Sequence, residues 1–341
     1  MNKTDKKKDC PFVFVRCLTY NHEAYIKDAL NGFVMQQTNF PFVVAIVDDA
    51  STDNNARIIR EYLQRVCDLD SIKSTIEEYG KVIDATPADN PNCLFHVVLL
   101  NENHYGKKSK LPYFAKYENA AKYVAMCEGD DYWTDPLKLQ KQVDFLEADE
   151  SLMLCCTNCS VVDNHSVEIQ AVRGGVVKND VQGRYNLRDF FRDNHQYPTL
   201  SVVYRRTHTQ EIAEKYARTR NAFLGDWTLW ICLLIYGDAY FLNEVTCAYR
   251  INPTSVTHSN VNARRLGLAK ANFKIISAVA SILPNEYQDI KDDLTNNTSW
   301  MWFNLANAYR HQRQYFKMLG CLIGCCIKDP KMLFNKIRNK K

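Results

Sequence analysis

The sequence predicts an α/β protein whose doubly wound, mostly parallel sheet is followed by a helical C-terminal extension. Three observations predict it. Short apolar runs of strand length alternate with segments of helical period up to about residue 250. Three of those runs end abruptly in polar or acidic clusters, and beyond residue 259 the pattern is helical almost to the end.

Residues 12–18 (FVFVRCL) form a continuous apolar run that ends in Thr19-Tyr20-Asn21-His22, polar residues suited to a loop. Residues 23–37 place Tyr25, Ile26, Ala29, Leu30, Phe33 and Val34 at helical spacing, and 42–47 return as a β-rich run, which completes a βαβ unit. That run ends in Asp48-Asp49-Ala50-Ser51-Thr52-Asp53, where Ser51, Thr52 or Asp53 can cap a helix over 56–66. Residues 68–92, with Pro87 and Pro91, read as a loop or an insertion. A buried strand at 94–100, a short helix at 114–122 and a strand at 123–127 follow, the last running into Glu128-Gly129-Asp130-Asp131. Asp135-Pro136 supplies an N-cap and a proline at the first helical position, starting a helix to about Glu147. Strands at 152–156 and 200–204, a buried helix at 227–236 and a strand region at 240–249 complete the sheet-forming part, and helices are expected near 262–282, 285–293 and 297–327. The expected division is a basic tail over 1–10, a catalytic domain over 11–259 and a helical region over 260–341.

A net charge of +4, spread along 341 residues with no basic face interleaved with aromatics, argues against nucleic acid as a partner. Basic residues do gather at the ends: Lys3, Lys6, Lys7 and Lys8, then Lys336, Arg338, Lys340 and Lys341. They read either as solvated tails or as charge that holds the chain near anionic lipid. No apolar segment of signal-peptide type follows the first cluster, so a cytoplasmic location is expected, with peripheral contact at the inner membrane face as an added option. The apolar run 316–327 is too short to span a bilayer; it either docks on a membrane surface or packs on the catalytic domain. Thirteen cysteines in a cytoplasmic chain are expected to be reduced and buried, and the one CxxC, Cys156 and Cys159, lacks the second pair that zinc requires.

In open α/β sheets, ligands bind beyond the carboxyl ends of the strands, which makes the clusters at 19–21, 48–49 and 128–131 the first places to look for a site. Carboxylates from separate strands that converge on one crevice repel one another unless a cation neutralises them. Oxygen ligands of this kind suit Mn²⁺ or Mg²⁺, with a donor's diphosphate completing the shell, and Gly129 is expected to let the acidic turn bend sharply.

The runs VDDASTDN (47–54) and YVAMCEGDDYW (123–133), with GDWTLW (225–230) and AYR (248–250) in this order, resemble the inverting family 2 glycosyltransferases of GT-A fold, in particular bacterial enzymes of lipopolysaccharide and capsular polysaccharide synthesis. The resemblance covers roughly residues 11–258. It implies transfer of a sugar from a nucleotide-diphosphate donor to the hydroxyl of a glycan or lipid-linked acceptor. It also implies that Tyr20 stacks on the nucleotide base, with Thr19, Asn21 and Glu23 as further donor contacts. One of Asp48 and Asp49 would accept a hydrogen bond from the base edge, which suits a uracil N–H and hence a UDP-sugar. By the same likeness Asp130 and Asp131 hold the metal and the donor's ribose or phosphate; Glu128 stands where the family has Asp, one methylene longer. Trp133 would wall the sugar pocket or pack in the core, as an aromatic beside a turn more often does, and Arg250 would meet phosphate or form a structural ion pair. Asp226 would be the general base that takes the acceptor hydroxyl's proton, or an N-cap, or both. Asn252 occupies the place where the family often carries a His that binds metal or phosphate; His258, further on, is then either the ligand or a plain surface histidine.

The alternative from another class is a non-catalytic nucleotide-sugar- or carbohydrate-binding module on the same fold, which would be marked by loss of Asp226 or Asp130; both are present. A nicotinamide dehydrogenase is excluded, because Thr-Tyr-Asn-His stands where the glycine fingerprint would follow the first strand. Specificity loops are expected near 68–92 and 164–196.

Overall fold

The computed structural model describes residues 10–219, 225–252, 262–296 and 298–329. They fall into two compact units: Met1–Asn186 with Asp193–Thr207 and Gly237–Asn252, and Leu187–Arg192 with His208–Tyr236 and Pro253–Lys341.

The first unit is built on one twelve-stranded sheet. Its centre is parallel: β1 (Val13–Thr19) lies between β2 (Phe42–Asp48) and β6 (Tyr123–Met126), and β5 (Cys93–Leu100) lies beyond β2. Helices α1 (Ile26–Val34) and α2 (Asn55–Val66) make the crossovers before and after β2. Every residue of β2 and of β5 is buried, as expected of strands covered on both faces, and this is why both read as unbroken apolar runs. Val13, Val15 and Cys17 of β1 pack with Ile26, Leu30 and Phe33 of α1 in the main core.

Antiparallel strands extend this centre on both sides. The segment 68–92, expected as a loop, contains β3 (Lys73–Glu77) and β4 (Gly80–Ala85), a hairpin on the edge of β5. All five residues of β3 are exposed, so no apolar alternation betrayed it. On the other side, β11 (Val203–Arg205) pairs antiparallel with both β6 and β8 (Leu152–Val162), and β12 (Asp238–Arg250) runs parallel to β8. β8 extends six residues past the expected 152–156 because its polar residues are buried; Thr157 and Thr246, for example, share a hydrogen bond of 2.7 Å. Cys156 and Cys159 are three apart on this strand and so point to opposite faces, which rules them out as a pair of ligands to one ion.

The two-residue strand β7 (Tyr132–Trp133) pairs with β12 just after the acidic turn. Trp133 is 1% exposed; its indole N–H donates to the Leu200 carbonyl and its ring meets Phe33 edge-on. The expectation that it walls a sugar pocket is corrected: it is a core residue, in cation–π contact with the buried Lys138 at the start of α4 (Lys138–Ala148). Three short elements complete this unit: α3 (Ala115–Glu118), β9 (Glu168–Gln170) and β10 (Gly183–Tyr185).

The second unit is helical: α5 (Leu187–Arg192), α6 (Thr209–Thr219), α7 (Gly225–Leu234), α8 (Asn262–Ile282), α9 (Gln288–Asn296), α10 (Ser299–His311) and α11 (Tyr315–Lys328). One helix was expected over 297–327; two are found, because Arg313 adopts a left-handed conformation (φ 56°) that breaks the helical path between them.

Gly32 of α1 lies against the backbone of β7, where an added Cβ would stand 2.8 Å from the Trp133 nitrogen and 2.9 Å from its oxygen. Gly32→Ala is expected to lower stability by about 1–3 kcal/mol. Urea unfolding checks this, and an unchanged midpoint would show that α1 shifts freely.

Candidate active site

The three polar clusters meet at the carboxyl ends of β2, β1 and β6. β1 is followed by β2 on one side, whereas the later β6 joins on the other, so the chain reverses its direction of winding between β1 and β6. Such a switch point leaves a crevice between the loops that leave the two strands.

Hydrogen bonds stitch those loops together. Thr19 ends β1 opposite Asp48, and its carbonyl accepts the Asp49 N–H at 3.0 Å. The side-chain amide of Asn55, fully buried at the start of α2, donates to Thr19 Oγ1 at 3.1 Å and to Asp48 Oδ1 at 3.0 Å. Asp48 also accepts from the Ser51 hydroxyl, and burial raises its carboxyl above the usual value while these bonds oppose the rise. Asn21 and Ala50 both sit in the left-handed region, at φ 55° and 57°. Asn21 Oδ1 accepts the Thr52 N–H at 2.8 Å and the Asn21 N–H donates to Ser51 Oγ at 2.9 Å, so each strained residue is held by the other loop. Tyr20, 42% exposed, is the aromatic that this loop presents to solvent.

Two expected donor contacts are committed elsewhere. The Glu23 carboxylate accepts from the Asn54 N–H and side-chain amide ahead of α2, bonds that hold it below its usual value. Asp49 is 4% exposed; its Oδ1 accepts the His104 N–H at 2.7 Å and its Oδ2 pairs with Lys110 Nζ at 2.9 Å.

The acidic turn docks on the end of β1. The Gly129 N–H donates to the Leu18 carbonyl at 2.9 Å, and a Cβ on Gly129 would lie 2.6 Å from Thr19 Oγ1 and 3.0 Å from His22 Nδ1. Gly129 is not among the residues of positive φ, so glycine is needed here for close approach and not, as expected, for a sharp turn. Glu128 is exposed, Asp130 is partly buried, and Asp131 is buried with Oδ1 accepting the Arg250 N–H at 2.8 Å. Burial, and then the neighbouring charge of Asp130, push the Asp131 carboxyl well above the carboxylate range.

Arg250 is 2% exposed, and each of its guanidinium nitrogens has a protein acceptor. Nε donates to the Asp130 carbonyl at 2.7 Å, Nη1 to the Asp163 carbonyl and Ser166 Oγ, and Nη2 to Asp28 Oδ2 at 2.9 Å. The expectation that it meets phosphate is therefore corrected in favour of the structural reading: it fastens the acidic turn.

Two residues of this site went unread in the sequence. Lys110 lies in a loop without periodicity. His22 was taken only as part of a loop; its Nε2 stands 3.8 Å from Asp130 Oδ2, while its buried Nδ1 has no hydrogen-bond partner among the described residues. Burial lowers its pKa against the opposing pull of Asp130. Among the described residues, no three His, Cys, Asp or Glu side chains form a ready-made ion cage. Glu128, Asp130 and Asp131 nevertheless offer an all-oxygen set on one turn, a chemistry that fits a hard divalent ion whose remaining ligands come from a bound phosphate. His258 lies outside the described residues, and Asn252 is buried.

Asp226 belongs to the second unit. It is exposed in the first turn of α7, with Oδ1 accepting the Trp227 N–H at 2.8 Å, and Trp227 packs against Phe190 and Phe191.

The profile of glycosyl transferase family 2 matches residues 17–211, more than half of the chain. The chain belongs to glycosyl transferase family 2. A relative in Mycobacterium tuberculosis, the uncharacterised protein Rv1520, is 32% identical over 254 residues, covering 73% of this chain and 61% of the relative. The chain thus spans less than two thirds of the length of these mycobacterial relatives. TuaG of Bacillus subtilis, a candidate teichuronic acid biosynthesis glycosyltransferase, is 26% identical over 75% of this chain and 85% of its own. Among solved structures, S. aureus TarS 1–349 in complex with UDP has a TM-score of 0.55 at 17% identity, covering 94% of this chain and 82% of that one. The mannosyltransferase PcManGT of Pyrobaculum calidifontis, in complex with GDP-Man and Mn²⁺, has a TM-score of 0.51 at 15% identity, covering 96% and 84%. These likenesses show the fold, which is GT-A with additional C-terminal helices.

In metal-free buffer, Asp131→Asn is expected to raise the thermal midpoint at pH 7 by a few degrees, since the amide keeps an acceptor for Arg250 and removes a buried like charge. The wild-type carboxyl is raised in the folded state above the 3.8 of the free side chain, so its stabilising contribution is full below 3.8 and is lost as pH rises through the raised value. The advantage of the variant should therefore be greatest at neutral pH and close towards pH 4. Scanning calorimetry across that range would contradict this account if the advantage were independent of pH.

Proposed function

We propose that this chain transfers a sugar from a nucleotide-diphosphate donor, of the UDP-sugar class, to an acceptor hydroxyl with inversion at the anomeric carbon. The observation that carries the reading is the convergence of the Thr19, Asp48 and Glu128 loops on one switch-point crevice, joined by Asn55 and the Gly129 N–H.

In this reading the exposed ring of Tyr20 stacks on the base. One of Asp48 and Asp49 reads the base edge, accepting an imide N–H with a lone pair left over from its bonds to Asn55 and Ser51, or to His104 and Lys110. Uracil supplies that N–H between two carbonyl oxygens. Glu128, Asp130 and Asp131 would hold Mn²⁺ or Mg²⁺ against the donor's diphosphate, with His258 as a further candidate. Bound there, the ion would offset the charge that develops on the departing nucleotide diphosphate. Arg250 keeps the acidic turn in place, and His22 borders Asp130. Asp226 takes the proton of the acceptor hydroxyl as its oxygen bonds the anomeric carbon on the face opposite the breaking C–O bond.

The setting proposed is the cytoplasm, in keeping with thirteen cysteines that are all free thiols. The acceptor class proposed is a glycan or lipid-linked intermediate of a cell-surface polysaccharide such as lipopolysaccharide, a reading supported by the similarity to TuaG along most of its length. The catalytic domain is assigned to 11–259, and 1–10 and 260–341 to a basic tail and a helical region.

UDP- and GDP-sugars incubated with and without Mn²⁺ are expected to show metal-dependent UDP release that Asp130→Ala abolishes. Asp226→Asn should retain donor binding by calorimetry and lose about 10²- to 10⁴-fold in kcat. If the wild type binds no nucleotide sugar, the proposal fails.

A further inference from the structure

We propose that the C-terminal helical hairpin docks this protein on an anionic lipid surface through an exposed apolar stripe of α11. The inference goes beyond the catalytic reading and does not depend on it.

α11 is apolar on two opposite sides, and only one is accounted for by packing. Cys321 is buried in a small core with Leu305, Ala306 and Ala308 of α10, Met318 and Leu322 pack at its edge, and Cys325, one turn on, is fully buried. The opposite side carries Phe316, Leu319, Ile323 and Ile327, which are 94, 51, 61 and 76% exposed. Their spacing of three, four and four residues places all four on one face of the helix. A soluble protein scatters large exposed apolar residues singly; four aligned along three turns mark an interaction surface.

The charge around the stripe identifies the partner. From Asn296 to Lys328 the sequence has no Asp or Glu. Arg310, Arg313, Lys317 and Lys328 of this stretch are all exposed, and the sequence that follows adds Lys331, Lys336, Arg338, Lys340 and Lys341 against Asp329 alone. An apolar stripe bordered by cations suits the interface of a bilayer that carries anionic headgroups, where the apolar side chains enter the acyl boundary and the basic ones stay among the phosphates. No described helix is long and apolar enough to cross a membrane, so the contact is with the surface. A second copy of the chain would have to bring this same cationic rim against itself, which disfavours self-association through the stripe.

Flotation of the full chain with vesicles tests the proposal. The wild type is expected to bind phosphatidylcholine vesicles containing phosphatidylglycerol and to bind pure phosphatidylcholine at least about tenfold more weakly. Phe316→Ser with Ile323→Ser should weaken binding to the anionic vesicles about tenfold or more, leaving the thermal midpoint and donor hydrolysis unchanged. Lys317→Glu with Lys328→Glu should do the same by removing the charge component. The proposal is overturned if the wild type ignores anionic vesicles or if the serine variant binds them equally well. It is also overturned if ultracentrifugation without lipid shows a dimer that the serine variant loses. Vesicle binding is read without turnover, so a failed transfer assay would leave this result standing.

Discussion

The buried guanidinium of Arg250 hydrogen-bonds to groups from Asp28, Asp130, Asp163 and Ser166, and its backbone N–H caps the carboxylate of Asp131; the acidic turn could not be held where it is without these bonds. Three carboxylates within four residues repel one another, and Asp131 is moreover shielded from water. A turn of this kind left to itself would open towards solvent. Arg250 opposes that chiefly through the carbonyl of Asp130, which fixes the backbone, while the Asp130 carboxylate stands beside His22. The arginine comes from β12, more than a hundred residues later in the chain, and reaches the turn because β12 pairs with β7 directly beyond it. The extension of the sheet through β8 and β12 is thus what makes the acidic turn possible.

The same logic applies to the strain on the other two loops. Left-handed backbone at Ala50 has no side-chain hydrogen bond of its own to offset it, and at a non-glycine residue such a conformation costs on the order of 1 kcal/mol or more. It persists because Asn55, Ser51 and Asn21 tie the loop after β2 to the loop after β1 on several sides. The consequence is a crevice whose polar groups are already aimed before any ligand arrives. Preorganisation of this kind spares a bound transition state the cost of reorienting dipoles.

What could be read in the sequence followed from burial. β1, β2, β5 and β6 are covered on both faces, so their apolar runs were unmistakable, and the polar residues that end β1, β2 and β6 pointed to the candidate site. The wholly exposed β3 and the buried polar residues of β8 carry no periodic signal, and both were missed or cut short. Residue type alone left two readings open at Trp133 and at Arg250, ligand contact or structural role. Whether an indole faces a pocket or the core, and whether a guanidinium is spent on carbonyls or left for phosphate, is decided by strands far away in sequence. The opposite held for His22 and Lys110, whose proximity to Asp130 and Asp49 arises only once separate loops converge.

The mild net charge of +4 is an average over regions of opposite sign. Residues 48–53 and 128–131 together hold six carboxylates, whereas 296–328 holds none and carries four Arg or Lys. Each region serves a different electrostatic need. Arg250 is already committed to the fold through Asp28, Asp130 and Asp163, so on the proposed reading a diphosphate would be met through an intervening cation and not through that guanidinium. On that reading, a basic side chain placed beside Asp130 would satisfy the turn within the chain and compete with a bound ion.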